Sequence, residues 1–426
     1  MDYKLSKYNI ELNKDSEHVI IWNTRSDSIV KLEQKIFRLL QDRMFCAEEL
    51  HSHIMPLLKQ GIIVPNEYDE FNHVCVNLKR EQWATSCETL SLIIAPTLDC
   101  NFHCVYCFEN GLRDKYVMDK ATIERILSFV QNQFNINSTI KKLHVSWFGG
   151  EPLLAYEEVI LPLSNKLISA CDSKNIFYEA SLTTNGLYLV PEILSVLICE
   201  LRINYFQITM DGTEKIYNKY KQALDGEYKL VKSNILALAN YNSKQIGIAI
   251  RLNANRTNIS DLMMLVNEFK NSNNWSDRIR FYLGRIYSGD DTDFSTPEFE
   301  QKTDEFMEFC HYSDEYPRPR TIWCSQHSMS SVCIGPHGEL YKCEHYFGQK
   351  QMVIGNIDYG LDYSKPFLDF MEIPFNAKCR DCVIFPLCLG GCPQKRLQSK
   401  DNYFCEYSLN HLINKTIKKI QKLLNN

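Results

Sequence analysis

Asp99-Cys100-Asn101-Phe102-His103-Cys104-Val105-Tyr106-Cys107-Phe108-Glu109 sets three thiols three and then two residues apart, directly after the apolar run Ser91 to Pro96. At that spacing a single loop can turn all three toward one inorganic cluster. Three thiolates on a four-iron cluster leave one iron without a protein ligand, and that open position is where chemistry can occur. Zinc is the competing reading. It wants a fourth ligand close by and His103 is on hand, so spacing alone leaves the metal open.

A chain of 426 residues is too long for one small core, so two or three domains are expected. The formal net charge of -5 argues against a nucleic-acid partner. No apolar run reaches the roughly 20 residues that span a bilayer, and Met1 to Asn9 is polar where a secretion signal would be apolar. A cytoplasmic protein with no membrane partner is the expectation. Without a secretion signal, 17 cysteines read as metal ligands before disulfides. Cys46, Cys75, Cys87, Cys171, Cys199 and Cys310 are scattered and read as small buried hydrophobes. The others fall between Cys100 and Cys107 and between Cys324 and Cys405, a clustering that calls for metal.

Around the first cluster of thiols, residues 90–286 alternate strand and helix patterns. Strands are expected at Ser91 to Thr97, Lys142 to Phe148, Tyr178 to Thr184, Tyr205 to Met210, Gly247 to Asn253 and Arg278 to Arg285, with helix-period segments between them. Right-handed crossovers curl such repeats into a partial (β/α)6 TIM-like barrel, an α/β fold whose post-strand loops share one rim. Gly149-Gly150-Glu151-Pro152 follows the second strand, Thr183-Thr184-Asn185-Gly186 ends the third, Asp211-Gly212 follows the fourth, and Arg251 with Asn253 ends the fifth.

The three-thiol loop with Tyr106 before its last cysteine, and these rim motifs in this order, resemble the radical S-adenosylmethionine (SAM) superfamily. The resemblance implies that Cys100, Cys104 and Cys107 ligate a [4Fe-4S] cluster whose free iron chelates SAM. An electron from the cluster then cleaves the sulfonium to a 5'-deoxyadenosyl radical. It further implies cofactor contacts at Tyr106, Phe108, Gly149, Gly150, Glu151, Thr183, Asn185, Asp211, Arg251 and Asn253. Glu151 and nearby carbonyls would accept from the SAM ammonium, and Arg251 would meet its carboxylate. One departure is Tyr217, which stands where peptide-modifying relatives carry histidine; no role is carried onto it.

Residues 1–70 read as a separate winged-helix-like α+β module. Strands are expected at Tyr8 to Leu12, His18 to Trp22, Ser28 to Leu32 and Ile62 to Val64, and helices around Leu32 to Leu40 and Ala47 to Gln60, capped by Gly61. This pattern resembles the recognition element of enzymes that modify ribosomally made peptides, where a leader peptide adds a strand to the sheet edge; a structural cap is the plain alternative. Residues 71–89 and 287–320 are expected as linkers, with one helix near Phe299 to Cys310, and 409–426 as an amphipathic C-terminal helix.

The second cysteine field, residues 321–408, holds Cys324, Cys333, Cys343, Cys379, Cys382, Cys388, Cys392 and Cys405. Its CxxC pair, the gaps to Cys388 and Cys392, and the Gly338-x4-Cys343 segment resemble the SPASM domain. That implies two auxiliary [4Fe-4S] clusters, Cys324, Cys343 and Cys392 on the first and Cys379, Cys382, Cys388 and Cys405 on the second. Cys333 is either a fourth ligand of the first or a strand cysteine facing the core. Glu344 stands where sulfatase-maturing relatives carry a proton-accepting aspartate, one methylene shorter. The whole resembles sactipeptide or ranthipeptide synthases, which implies three clusters, SAM, a leader-bearing precursor peptide, a flavodoxin- or ferredoxin-type electron donor, and a Cys sulfur-to-carbon thioether product. Formylglycine formation on a sulfatase, or carbon-carbon or carbon-oxygen crosslinking, are the alternative reactions.

Overall fold

The computed structural model describes residues 2–14, 16–242, 246–286, 297–310, 317–405 and 416–418. Two compact units emerge. The first combines Met1–Trp83, His311–Ser328 and Phe370–Asn426; the second combines Ala84–Cys310 with Met329–Asp369.

The second unit is the barrel. Strands β6 (Thr89–Ile94), β7 (Lys142–Trp147), β8 (Phe177–Thr184), β9 (Ile203–Thr209), β10 (Gly247–Ala254) and β11 (Ile279–Arg285) run parallel in chain order. Their burial alternates, as in β7, where Leu143, Val145 and Trp147 are enclosed. The crossovers are carried by helices α4 (Lys120–Ile136), α5 (Leu161–Ser173), α6 (Pro191–Ser195), α8 (Glu227–Asn240) and α9 (Ile259–Lys270), with α7 (Glu214–Lys221) just before α8. This is the expected (β/α)6 arrangement, and the sheet goes further. Strand β12 (Ser331–Ile334) pairs parallel with β6, and β13 (Leu340–Tyr341) pairs antiparallel with β12, making eight strands. Part of the second cysteine field is therefore barrel sheet, because Val332, Cys333 and Ile334 are all buried there.

In the first unit, β2 (Asn9–Lys14), β3 (His18–Asn23) and β4 (Ile29–Glu33) form an antiparallel meander. Helices α1 (Gln34–Gln41) and α2 (His51–Lys59) follow, and Gly61, at φ 73°, turns the chain into β5 (Ile63–Pro65). The sequence reading missed β1 (Tyr3–Leu5), the partner of β5; three residues with one clear apolar position leave no period to read. One sheet face buries Val19, Ile21 and Leu32 against Ile36, Phe37, Leu40 and Leu57 of the helices. The other buries Ile10, Leu12 and Trp22 against Ile384 and Leu387 from the cysteine field.

The stretch 71–89, expected as a linker, is largely helix α3 (Glu70–Gln82), capped by Asp69, whose carboxylate accepts from Asn72 N. Its polar composition hides an apolar stripe of Phe71, Val74 and Leu78, packed on Phe385 and Leu389. Within the expected linker 287–320, the anticipated helix is present as Pro297–Phe309; residues 287–296 and 311–316 lie outside the described residues. Of the expected C-terminal helix only residues 416–418 are described, and they are helical. No helix among the described residues is long and apolar enough to cross a membrane.

The Phe71 ring lies 4.7 Å from that of Phe385 and 6.0 Å from that of Phe375, centroid to centroid. Phe71→Ala is expected to cost roughly 3 to 5 kcal/mol of first-unit stability in urea unfolding. A cost under about 1 kcal/mol would show that the segment is the linker its composition suggests.

Candidate active site

Three-thiol loop and rim belong to the second unit. Thr97 Oγ1 donates to Tyr116 O and accepts from Asp99 N, and the Asp99 carboxylate accepts from Cys100 N at 2.9 Å. The loop has little regular structure of its own, so its backbone is held from outside. His103 N donates to Lys221 O (3.2 Å) and Val105 N to Tyr220 O (2.9 Å), at the carbonyl end of α7.

The double glycine faces the loop's own backbone. A Cβ on Gly150 would sit 2.0 Å from Asp99 O, and one on Gly149, at φ 108°, 2.5 Å from Thr97 O. Only glycines allow the hydrogen bonds that result, Gly150 N to Thr97 O and Glu151 N to Asp99 O. Glu151 is fully buried. Its Oε1 accepts from Leu153 N and Thr184 Oγ1, and its Oε2 from Asn185 N at 2.8 Å. Burial raises its pKa against these three donors. In this structure the carboxylate thus ties the loop after β7 to the loop after β8. Asn185 completes the tie, its Nδ2 donating to Asn101 Oδ1 at 2.8 Å. Thr183 is half-buried on β8, opposite Gln207.

Asp211, after β9, is an enclosed counter-ion. It accepts from the Tyr106 hydroxyl, and Lys221 Nζ lies 3.5 Å away. Asp211 and Lys221 are both buried. Burial opposes the lysine's charge, yet Asp211 and the neighbouring Tyr106 and Cys104 outweigh it and hold its pKa well above the ordinary value. Lys221 escaped the sequence reading, since a lysine on a helix ordinarily reads as solvated. Arg251 donates from Nε to Asn253 Oδ1 at 3.0 Å, and Gly284 on the adjoining strand leaves room for it, since a Cβ there would lie 2.5 Å from that nitrogen.

Burial pushes the Cys100 thiol up to about 12, with Glu151 and Cys104 adding to it, and raises Cys107 too. A metal that takes the proton's place offsets this cost of ionisation. Buried polar atoms without partners lie on the loop, at Asn101 Nδ2 and Glu109 Oε1, and on residues that touch it, at Asp211 Oδ1 and Tyr217 OH. Such a donor set, with unsatisfied polar atoms on or near it, fits a polar metal-bound cofactor. Phe108 is half exposed beside the loop, its ring 4.1 Å from that of His345. Glu344 precedes that histidine, its carboxylate 3.6 Å from the Cys343 thiol.

Of the remaining cysteines, Cys333 and Cys343 belong to the second unit and Cys324 and Cys392 to the first. Cys333 is fully buried on β12, opposite Tyr341. In the first unit Cys379, Cys382, Cys388 and Cys405 come near enough for their charges to oppose one another's ionisation. Burial pushes Cys388 up to about 12. Among the described residues no three His, Cys, Asp or Glu groups are gathered to hold a single metal ion.

Residues 94–266 match the profile of the radical SAM superfamily. The chain carries a radical SAM domain. Three likenesses extend beyond that domain. The cysteine-type anaerobic sulfatase-maturating enzyme of Clostridium novyi is 22% identical over 386 residues, covering 78% of this chain and 96% of its own. The structure of native anSMEcpe with bound AdoMet superimposes with a TM-score of 0.59 at 20% identity, covering 79% of this chain and all of that one. That of Streptococcus suis SuiB bound to precursor peptide SuiA does so with a TM-score of 0.52 at 15% identity, covering 96% and 99%. A [4Fe-4S] cluster with SAM is the cofactor expected of a radical SAM domain, and Cys100, Cys104 and Cys107 are the thiols of its loop.

Lys221→Met would strand the Asp211 carboxylate and is expected to cost about 3 to 5 kcal/mol in unfolding of the metal-free protein; an unchanged midpoint would show that the pair contributes nothing. Glu109, 4% exposed, offers a pH test. Burial raises its carboxyl from 4.5 to about 7. Its favourable contribution is therefore full below pH 4.5 and lost as pH rises through 7. Glu109→Gln is expected to remove of order 3 kcal/mol of that decline, read as the difference between the two proteins' stability-pH curves.

Proposed function

We propose that this chain is a radical SAM maturase of a ribosomally made, leader-bearing precursor peptide, and that it forms a thioether between a cysteine sulfur and a peptide carbon. The observation that carries the peptide reading is coverage. The likeness to a structure holding its precursor peptide runs over 96% of the chain, whereas the sulfatase-maturating structure leaves about a fifth unmatched. The thioether itself is proposed from the overall resemblance to sactipeptide and ranthipeptide synthases.

With SAM and a reduced cluster bound, the site would supply abstraction of an unactivated hydrogen atom from the peptide. The chain's own residues do the placing. Cys100, Cys104 and Cys107 hold that cluster; Glu151 and Asn185 fix the loops around it; Arg251 orients the cofactor carboxylate. Phe108 and His345 provide an aromatic surface at the rim. Glu344 accepts the substrate proton released on bond formation. Within the first unit, Cys379, Cys382, Cys388 and Cys405 would hold the second auxiliary cluster. That cluster would supply a seat for the surplus electron, and a flavodoxin- or ferredoxin-type protein of the cytoplasm would be the electron donor.

The leader enters by strand addition at β4. Strand β2, the opposite edge, has a register shift between Glu11 and Asn13, which disturbs its ladder, while β4 pairs with β3 in unbroken register. The second reading, formylglycine formation, is favoured by the 22% identity to the C. novyi enzyme.

Deleting the N-terminal module would not separate these readings, since Trp22 and Ile10 cover Ile384 and Leu387 and the cysteine field would lose its packing. The clean variable is the peptide. Incubated anaerobically with reconstituted enzyme, SAM and reductant, a precursor peptide is expected to lose two hydrogens and one alkylatable cysteine in mass spectrometry. Removing its leader is expected to lower kcat/KM at least tenfold, about 1.4 kcal/mol. Loss of two hydrogens with every cysteine still alkylatable would move the bond to carbon or oxygen. Aldehyde formation on a sulfatase-motif peptide, indifferent to any leader, would establish the second reading.

A further inference from the structure

Arg396 lies in the short helix Pro393–Gln398, four residues after Cys392, and is 1% exposed. Its Nη2 donates to the carbonyls of Ile373 (3.2 Å) and Pro374, and its Nε to that of Asn402 (3.4 Å). The guanidinium carbon sits 4.6 Å from the centroid of the Phe375 ring. Gly390, at φ 78°, keeps the space open, since a Cβ there would lie 2.8 Å from that ring and 3.5 Å from the guanidinium carbon. All these partners are neutral. Among the described residues no carboxylate pairs with Arg396; the groups near enough to favour its charge, once they carry one, are the thiols of Cys379, Cys388 and Cys392.

A guanidinium stays charged inside a protein, and enclosing it without a counter-charge costs several kcal/mol even after relaxation. Three carbonyls and an aromatic face offset part of that cost but supply no net negative charge. Four thiolates on a four-iron cluster do, and the charge grows by one unit when the cluster accepts an electron. Resting on the reading that Cys379, Cys382, Cys388 and Cys405 hold the second auxiliary cluster, we infer that Arg396 is its built-in counter-cation. It is a positioning residue that favours the reduced form and so raises the cluster's reduction potential. Charge near the cluster and burial are the levers by which a protein sets such potentials. In the proposed reaction this makes the second cluster the preferred seat of the surplus electron.

The test uses the full chain with Cys100, Cys104 and Cys107 each changed to alanine, so that only auxiliary clusters report. Iron content and reductive titration followed by electron paramagnetic resonance are compared for the Arg396 parent, Arg396→Lys and Arg396→Gln. The expected result is a tenfold or larger loss in the reduction equilibrium of one cluster in Arg396→Gln, about 59 mV for a one-electron couple. Arg396→Lys should recover most of it. Equal potentials in all three proteins would overturn the inference. If Arg396→Gln loses iron while Arg396→Lys retains it, the charge role stands; if both lose it alike, Arg396 is a hydrogen-bond hub and the inference fails. A parent with no auxiliary iron-sulfur signal would instead remove the cluster reading itself, an outcome distinct from each of these.

Discussion

The Glu151 carboxylate is the constraint on which the rim depends. It is enclosed completely, yet three donors meet it, from its own loop and from the loop after β8. An enclosed carboxylate lacking these partners would cost several kcal/mol, so the two loops can only be ordered together. Two glycines extend the constraint to the three-thiol loop, because their missing side chains let the backbone after β7 bond directly to Thr97 O and Asp99 O. Three consecutive strand ends are thereby fixed before any cofactor contributes, which is the preorganisation a radical site needs.

The opposite side of the loop is held by a different device. Lys221 acts twice, its carbonyl accepting from His103 N and its ammonium neutralising Asp211, which in turn orients the Tyr106 hydroxyl. Backbone and side chain of one residue thus hold both the path of the loop and the angle of its aromatic ring. A mobile loop would let the thiols swing apart and admit water. The clamp from α7 and the tie through Glu151 restrain it from two directions, and both are built from enclosed polar groups that tolerate little displacement.

How much of this was legible in the sequence follows from the range of each interaction. The barrel strands were, because apolar alternation over six to eight residues is local. The rim motifs were, because each comes straight after a strand. Helix α3 was not: its stripe of Phe71, Val74 and Leu78 is diluted by polar neighbours and gains meaning only from Phe385 and Leu389, some three hundred positions on. The same holds for the Asp211 ion pair and for Arg396, whose residue types look solvated until the fold encloses them. Glu151 was singled out as a cofactor contact at the rim, but nothing in its neighbourhood announced that the chain itself would occupy its oxygens. Cys333 illustrates the remaining case. A strand there was one of two readings left open, because four residues are too few for a period, and its place beside β6 depends on a parallel pairing with residues two hundred and forty positions earlier.

The first unit shows how an N-terminal module and a distant cysteine field become one body. A three-stranded sheet buried on one face alone would leave Trp22, Ile10 and Leu12 in water; Ile384 and Leu387 cover them, and Thr24 Oγ1 donates to Val383 O beside Cys382. Both faces of the sheet are then occupied, one by α1 and α2 and the other by the cysteine field. What remains of such a sheet for a partner is its edges, where unpaired backbone groups are the recognition chemistry. Of the two, β4 keeps an unbroken register with exposed Lys31 and Glu33, while the irregular β2 cannot present an even ladder. An extended peptide would find its hydrogen-bonding row on β4.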